Sequence, residues 1–116
     1  MSDLHVRTET TRGVVHAAVI TEALSEDRVC TIVADNICDA LSKDAPSCLL
    51  DAQQLRYCTS TGIGCLVRIH NACRAAKGRL VIVNLDPMIA DSIKIARLDR
   101  LFTIAKDDKA ARKALA

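Results

Sequence analysis

Aromatic residues are almost missing from this chain. Its 116 residues contain no tryptophan, and Tyr57 and Phe102 are the single tyrosine and phenylalanine. The apolar fraction is nevertheless 50%, which is ordinary for a globular protein. A hydrophobic core must therefore be aliphatic, built from Val, Ile, Leu, Ala and Cys. We find no repeat, linker or low-complexity stretch, and the length suits one compact domain, which we expect to span residues 1–116.

Long apolar runs and a strong charge of either sign are also lacking. The longest apolar stretches, such as residues 80–83, are far shorter than the roughly 20 residues of a membrane span, so we expect no membrane insertion. The opening residues have neither the basic start nor the apolar run of a secretory signal, which favours a cytoplasmic location. A net charge of +2 is too small to predict general nucleic-acid binding.

The six cysteines do not form a recognisable metal or disulfide pattern. They lie seven to ten positions apart, mostly in apolar runs, and no Cys-x-x-Cys is present. The positions are Cys30, Cys38, Cys48, Cys58, Cys65 and Cys73. We interpret them as small reduced core residues. The three histidines, His5, His16 and His70, are not spaced as zinc partners, so the sequence predicts no metal and no cofactor.

Hydrophobic periodicity predicts an α/β fold. Imperfect alternation over residues 4–10 and 13–20 favours an N-terminal hairpin, and a helix capped by Ser25 is expected over residues 26–43. The apolar run at residues 47–51 is typical of a strand buried on both faces, which we place at the centre of the sheet.

The second half alternates between helices and strands. Gly78 is expected to end the first of these helices and Asp86 to cap the second. The five predicted elements, beginning and ending with a helix, are residues 61–77, 79–84, 87–97, 101–104 and 107–115. This order predicts parallel βαβ units, which with the hairpin give a mixed four- to five-stranded sheet.

The segment Thr59-Ser60-Thr61-Gly62-Ile63-Gly64, at a strand-to-helix turn, is the most informative part of the chain. A helix start leaves backbone N–H groups unpaired and carries partial positive charge, so a hydroxyl can cap it and a phosphate is tolerated there. Gly62 and Gly64 each cost a helix about 1 kcal/mol relative to alanine. One interpretation is a cap by Ser60 or Thr59, with glycines that relieve crowding against the sheet. Nucleotide-loop and nucleophile-elbow patterns both fail on the glycine spacing.

A short apolar stripe continues from this segment along the helix. Ile63 and Val67 lie one turn apart outside the main apolar arc, and His70 and Arg74 continue the same flank. The stripe fits either a partner surface or additional core beneath a neighbouring element. We interpret His70 as a hydrogen-bonded boundary residue rather than a ligand or a base.

Four segments together resemble the STAS domain, the fold of bacterial anti-sigma factor antagonists. They are residues 49–51, 59–64, 78–83 and 98–102. The resemblance implies a non-enzymatic domain that docks to an anti-sigma factor with serine kinase activity, and a serine phosphatase as a further partner. It implies that phosphorylation of Ser60 turns docking off. From this resemblance and from the apolar stripe, we expect the partner interface to contain Thr59, Thr61, Gly62, Ile63, Gly64 and Val67.

The chain departs from this family at two positions. The family motif usually has Asp where this chain has Thr59, and Gly where it has Arg97. The modified hydroxyl is therefore Ser60, Thr59 or Thr61, or none of them. An alternative function is a constitutive scaffold or a subunit of a signalling or lipid-transport complex. An enzyme that uses Ser60 or a cysteine as nucleophile has no His or acid tied to either by a known motif.

Overall fold

The structure is a computed structural model that describes residues 5–115. Its first element is an antiparallel hairpin. Strands β1 (Val6–Thr11) and β2 (Val14–Val19) pair from Val6↔Val19 to Thr11↔Val14. Arg12 and Gly13 form the two-residue turn with φ of 53° and 77°, the left-handed geometry that matches the twist of a hairpin. The predicted hairpin is confirmed, with strand bounds shifted by one or two residues; predicted residue 4 lies outside the described part.

Three further strands complete a mixed five-stranded sheet. They are β4 (Ser47–Asp51), β6 (Leu80–Val83) and β7 (Thr103–Ala105), each parallel to its neighbour. The strand order is β1-β2-β4-β6-β7, so β4 occupies the centre as predicted. Two short strands, β3 (Ala23–Leu24) and β5 (Tyr57–Cys58), form a separate parallel pair outside this sheet. The hydrophobic periodicity of the sequence did not predict them.

Helices cover both faces of the main sheet unequally. Helices α1 (Asp27–Ala40), α2 (Ser60–Ala75) and α3 (Pro87–Ile95) contribute to one large core, and α4 (Asp108–Leu115) packs on the opposite face. Alternate residues of β4 divide between the two cores: Cys48 and Leu50 face the three helices, and Leu49 faces α4. The predicted α/β class and mixed sheet are confirmed. In the described part of the chain, no helix is both long and apolar enough to span a bilayer.

Both predicted ends of α1 were wrong. Helix α1 ends at Ala40 rather than residue 43, because Ser42 and Ala45 exchange backbone hydrogen bonds of 3.0 and 3.1 Å that turn the chain. At the other end, Glu26 rather than Ser25 is the N-cap, and it makes no side-chain capping bond.

Gly78 does not supply the left-handed residue that ends α2. Lys77 does so with φ of 70°, and the amide of Gly78 donates to the carbonyl of Cys73 at 2.7 Å, as in a Schellman motif. A Cβ at Gly78 would lie 2.2 Å from the carbonyl oxygen of Pro46, so glycine is required here for close packing.

Helix α3 follows the same rule at its end. Asp86 caps its start as predicted, accepting a hydrogen bond from the amide of Met88 at 2.9 Å. The helix stops at Ile95, two residues before the predicted end, since Arg97 is left-handed with φ of 62°.

Candidate functional site

The start of α2 is held by the small sheet of β3 and β5. Ala23 pairs with Tyr57 and Leu24 with Cys58. The amide of Tyr57 donates to the carbonyl of Glu22 at 3.0 Å, and the amide of Thr59 donates to the carbonyl of Leu24 at 3.1 Å. Backbone hydrogen bonds therefore fix the chain up to the residue at which the helix begins.

The three hydroxyls of the segment have different surroundings. Thr59 is the N-cap and half-buried, and its Oγ1 donates to the carbonyl of Leu24 at 3.5 Å rather than capping the helix. Ser60 and Thr61 are exposed, and within residues 5–115 neither hydroxyl makes a hydrogen bond. The interpretation of Thr59 or Ser60 as a side-chain cap is therefore wrong.

The helix start is electropositive. Its first intrahelical hydrogen bond runs from the amide of Ile63 to the carbonyl of Thr59 at 2.9 Å, which leaves the amides of residues 60–62 without an intrahelical acceptor. The first turn contains no acidic residue. A negative group on an exposed side chain here is stabilised by the helix dipole.

The two glycines of the segment differ sharply in their surroundings. Gly62 is buried, and a Cβ there would lie 2.1 Å from the carbonyl oxygen of Leu24 and 2.6 Å from Sγ of Cys58. Gly64 is exposed, and a Cβ there would have nothing within 4 Å. Crowding explains Gly62, but no packing contact within the domain explains Gly64.

One stripe of α2 contains Ser60 and three of the six predicted interface residues. Ser60, Ile63, Gly64 and Val67 occupy positions i, i+3, i+4 and i+7, which fall on one side of a helix. Ser60 and Gly64 are exposed, whereas Ile63 and Val67 are half-buried, and Val67 packs against the main core. Gly62 and Thr61 lie off this stripe. The binding roles assigned to all of them stay predictions.

His70 belongs to the core rather than to the stripe. It is 9% exposed, and its ring packs edge-to-face on Phe102 with centroids 5.8 Å apart. Burial, followed by the charge of Arg74, lowers the pKa of His70. Its Nδ1 is buried with no hydrogen-bond partner among the described residues, so the interpretation of a hydrogen-bonded boundary residue was wrong.

Tyr57 is a surface feature that sequence reasoning missed. It lies on β5, three residues before Ser60, and its side chain is 59% exposed although the chain has only two aromatic residues. The backbone of β5 holds its position. Aromatic side chains are enriched in protein interfaces, so a tyrosine three residues before Ser60 could have been predicted to belong to a partner surface.

The cysteines are poor nucleophiles. All six are unpaired, and burial raises the pKa of the thiol of Cys58, two residues before Ser60, to about 11. Burial likewise raises the pKa of Cys73 to about 11 and of Cys65 to about 12. These thiols are protonated at neutral pH, which argues against catalysis through a thiolate. Over residues 5–115 there is also no cluster of His, Cys, Asp and Glu side chains able to hold a metal ion.

Solved structures share this fold. An anti-sigma-factor antagonist (STAS) domain protein from Planctomyces limnophilus has a TM-score of 0.81 at 16% identity, over 96% of this chain and 97% of that one. SpoIIAA, a Bacillus cell fate determinant, in its phosphorylated form has a TM-score of 0.70 at 18% identity, over 94% and 98%. The murine anion transporter Slc26a9 has a TM-score of 0.74 at 11% identity, over 92% of this chain but 18% of the transporter.

Sequence comparison agrees with the fold. No curated protein matches the chain, but the family model of the STAS domain matches residues 16–111. The matched region runs from β2 into α4 and includes the whole start of α2. Since it covers well over half of the residues, the chain belongs to the STAS domain family.

Proposed function

We propose that this protein is an anti-sigma factor antagonist of the bacterial cytoplasm, which docks through the start of α2 and is released when Ser60 is phosphorylated. The observation that carries this proposal is Gly64. It lies in open space one helical turn from the exposed Ser60, at a position where alanine would stabilise the helix. A surface that keeps bare backbone at such a cost is suited to close approach by a partner.

The switch follows from the charge and size of a phosphate. Phosphorylation adds about 1.5 to 2 negative charges and three acceptor oxygens at neutral pH. Within the domain this group would lie at a helix start with free amides and no acidic residue in the first turn, so the fold tolerates it. A partner surface shaped for a small hydroxyl and bare glycine backbone would meet a bulky charge that is costly to desolvate.

Ser60 suits this role better than the neighbouring threonines. Thr59 is half-buried with its hydroxyl directed to the carbonyl of Leu24. Thr61 is exposed but lies about 100° around the helix from Ser60, away from the stripe that contains Gly64. The absence of an aspartate at position 59 leaves the kinase to recognise other groups, and the exposed ring of Tyr57 is well placed for this.

A relative in fold supports the proposal. SpoIIAA is an anti-sigma factor antagonist with solved structures in phosphorylated and unphosphorylated forms. The same fold is thus compatible with both states in that protein. We extend this behaviour to the present chain on the grounds of its helix start, and we assign the kinase to its anti-sigma factor partner and the reversal to a serine phosphatase.

The test uses purified anti-sigma factor serine kinases from the source organism, each mixed with the chain and ATP. We expect one of them to bind the wild type and to add a single phosphate, located at Ser60 by mass spectrometry and lost in Ser60→Ala. Ser60→Asp should retain the fold and lose binding. Thr61→Asp is the matched control and should bind more tightly than Ser60→Asp. Unchanged affinity in Ser60→Asp would exclude the switch.

A second candidate function is a constitutive subunit of a larger complex. The likeness to Slc26a9 favours it, because there a domain of this fold is part of an anion transporter. In that case the same stripe would dock a partner without modification. Co-purification with a transporter ATPase, with Ser60 unmodified in the isolated complex, would support this alternative over the antagonist.

A further inference from the structure

Strand β1 is an edge of the main sheet that no other strand of residues 5–115 covers. It ends the strand order, and five of its six residues are exposed. Natural proteins commonly block such edges with proline, a bulge or charged side chains, above all lysine, since an open edge pairs with other strands. The sequence of β1, Val-Arg-Thr-Glu-Thr-Thr, has no proline, and its pairing with β2 is continuous without a bulge. Its two charged residues, Arg7 and Glu9, are of opposite sign and therefore repel a second copy only in some registers.

Hydrogen-bond parity identifies which residues of β1 face outward. The amide of Ile20 donates to the carbonyl of His5 at 2.9 Å, and these two residues lie opposite each other in the register of the hairpin. In an antiparallel pair, bonded and non-bonded positions alternate. The backbone groups of Arg7, Glu9 and Thr11 therefore form hydrogen bonds with β2. Those of the intervening residues, Val6, Thr8 and Thr10, point away from the sheet.

We propose that two copies of this chain associate through antiparallel pairing of β1 with β1 about a two-fold axis at Thr8. In this register Thr8 pairs with Thr8 of the second copy, and Val6 pairs with Thr10 twice. All three pairs join residues whose backbone groups point outward, so the ladder gains hydrogen bonds at every available position. The two five-stranded sheets become one continuous sheet of ten strands.

The charges on β1 select this register. Arg7 of each copy lies opposite Glu9 of the other, in non-bonded pairs where side chains are closest. Shifting the axis by one residue either way, to Arg7 or to Glu9, keeps the parity but places two arginines or two glutamates opposite each other. Arg7 and Glu9 are exposed and form no ion pair within residues 5–115. Their charges are thus available to the second copy.

Charge reversal on the full chain tests this register. We expect sedimentation equilibrium to show a monomer–dimer equilibrium in the wild type. Arg7→Glu or Glu9→Arg alone should raise the dissociation constant about tenfold, because two opposite-charge pairs become like-charge pairs. An equimolar mixture of the two variants should dimerise again, since each mixed pair is then of opposite charge. Lys106→Glu, an exposed position directly after β7 at the opposite edge of the sheet, is the matched control and should dimerise as the wild type does.

Hydrogen exchange gives an independent readout. The amides of Thr8 and Thr10 should become protected as protein concentration rises, whereas those of Arg7 and Glu9, bonded to β2, should be protected at every concentration. Thr8→Pro, which removes one outward amide and no bond to β2, should abolish the dimer. A chain that stays monomeric at all concentrations overturns the proposal, as does a dimer that is insensitive to the two charge reversals.

Discussion

Alanine substitution at the two glycines of the α2 start should change stability in opposite directions. In Gly62→Ala the new Cβ meets the carbonyl oxygen of Leu24 at 2.1 Å, a backbone atom that cannot move without disturbing the small sheet. Overpacking of this kind costs about 1–3 kcal/mol. In Gly64→Ala the new methyl group meets open space, and the gain in helix propensity is about 0.5–1 kcal/mol.

These free energies convert into measurable shifts of the melting temperature. For a chain of 116 residues, unfolding entropies predict a shift of about 4 °C for each kcal/mol. Gly62→Ala should therefore melt about 4–12 °C below the wild type, and Gly64→Ala about 2–4 °C above it. Calorimetry, supported by urea unfolding monitored by circular dichroism, measures both variants under identical conditions.

Partner binding completes the experiment. Gly64→Ala should stabilise the domain yet weaken docking to the anti-sigma factor about tenfold or more, since the methyl group lies one turn from Ser60 on the same stripe of α2. Equal melting temperatures in the two variants would refute the packing argument for Gly62. A stabilised Gly64→Ala that binds as tightly as the wild type would refute the docking argument, because the glycine would then have no function at that surface.

Three further predictions concern single side chains. Tyr57→Ala should weaken partner binding about tenfold and change stability by less than about 0.5 kcal/mol, as the ring is largely exposed; equal losses of binding and stability would contradict this. His70→Phe should stabilise the domain more at pH 5 than at pH 8: burial lowers the folded-state pKa of His70, so the unfolded chain takes up the proton first and wild-type stability falls as pH drops below 6.5. Urea unfolding of both proteins at both pH values measures this, and a gain in unfolding free energy that is the same at pH 5 and pH 8 would contradict it. Arg97→Gly should raise the unfolding free energy by about 0.5 kcal/mol, since it relieves a left-handed φ, whereas Ala96→Gly, at a right-handed residue, should lower it by a similar amount.

The sequence predicted those parts of the fold that repeat a pattern. The apolar runs of β4 and β6 and the periodic faces of the helices identified the sheet and its layers. The predicted α1 was too long at its C-terminal end. Leu41 packs against the core although it lies beyond the last helical residue, so the apolar pattern continues past the end of the helical hydrogen bonds. Strands β3 and β5 have two residues each, too few for any period.

The sequence predicted the strand-to-helix turn at residues 59–64 but not the contacts that hold it. Gly62 and Gly64 look alike in the sequence, and only the contact of Gly62 with Leu24, distant along the chain, distinguishes them. The apolar pair Ala23-Leu24 between polar neighbours was the one local hint that this connector is anchored. The involvement of His70 with Phe102 was likewise a long-range contact that no local pattern contains. The role of Ser60 stays a prediction.

The anchoring of the α2 start by backbone atoms has a consequence for sequence variation. The ladder of β3 and β5 and the bond from Thr59 to Leu24 use amides and carbonyls, which every residue type supplies except for the missing amide of proline. Tyr57, Ser60 and Thr61 point their side chains outward from this frame and contribute little to the core. Related chains can therefore exchange these side chains, and with them the partner they recognise, without rebuilding the domain that presents them.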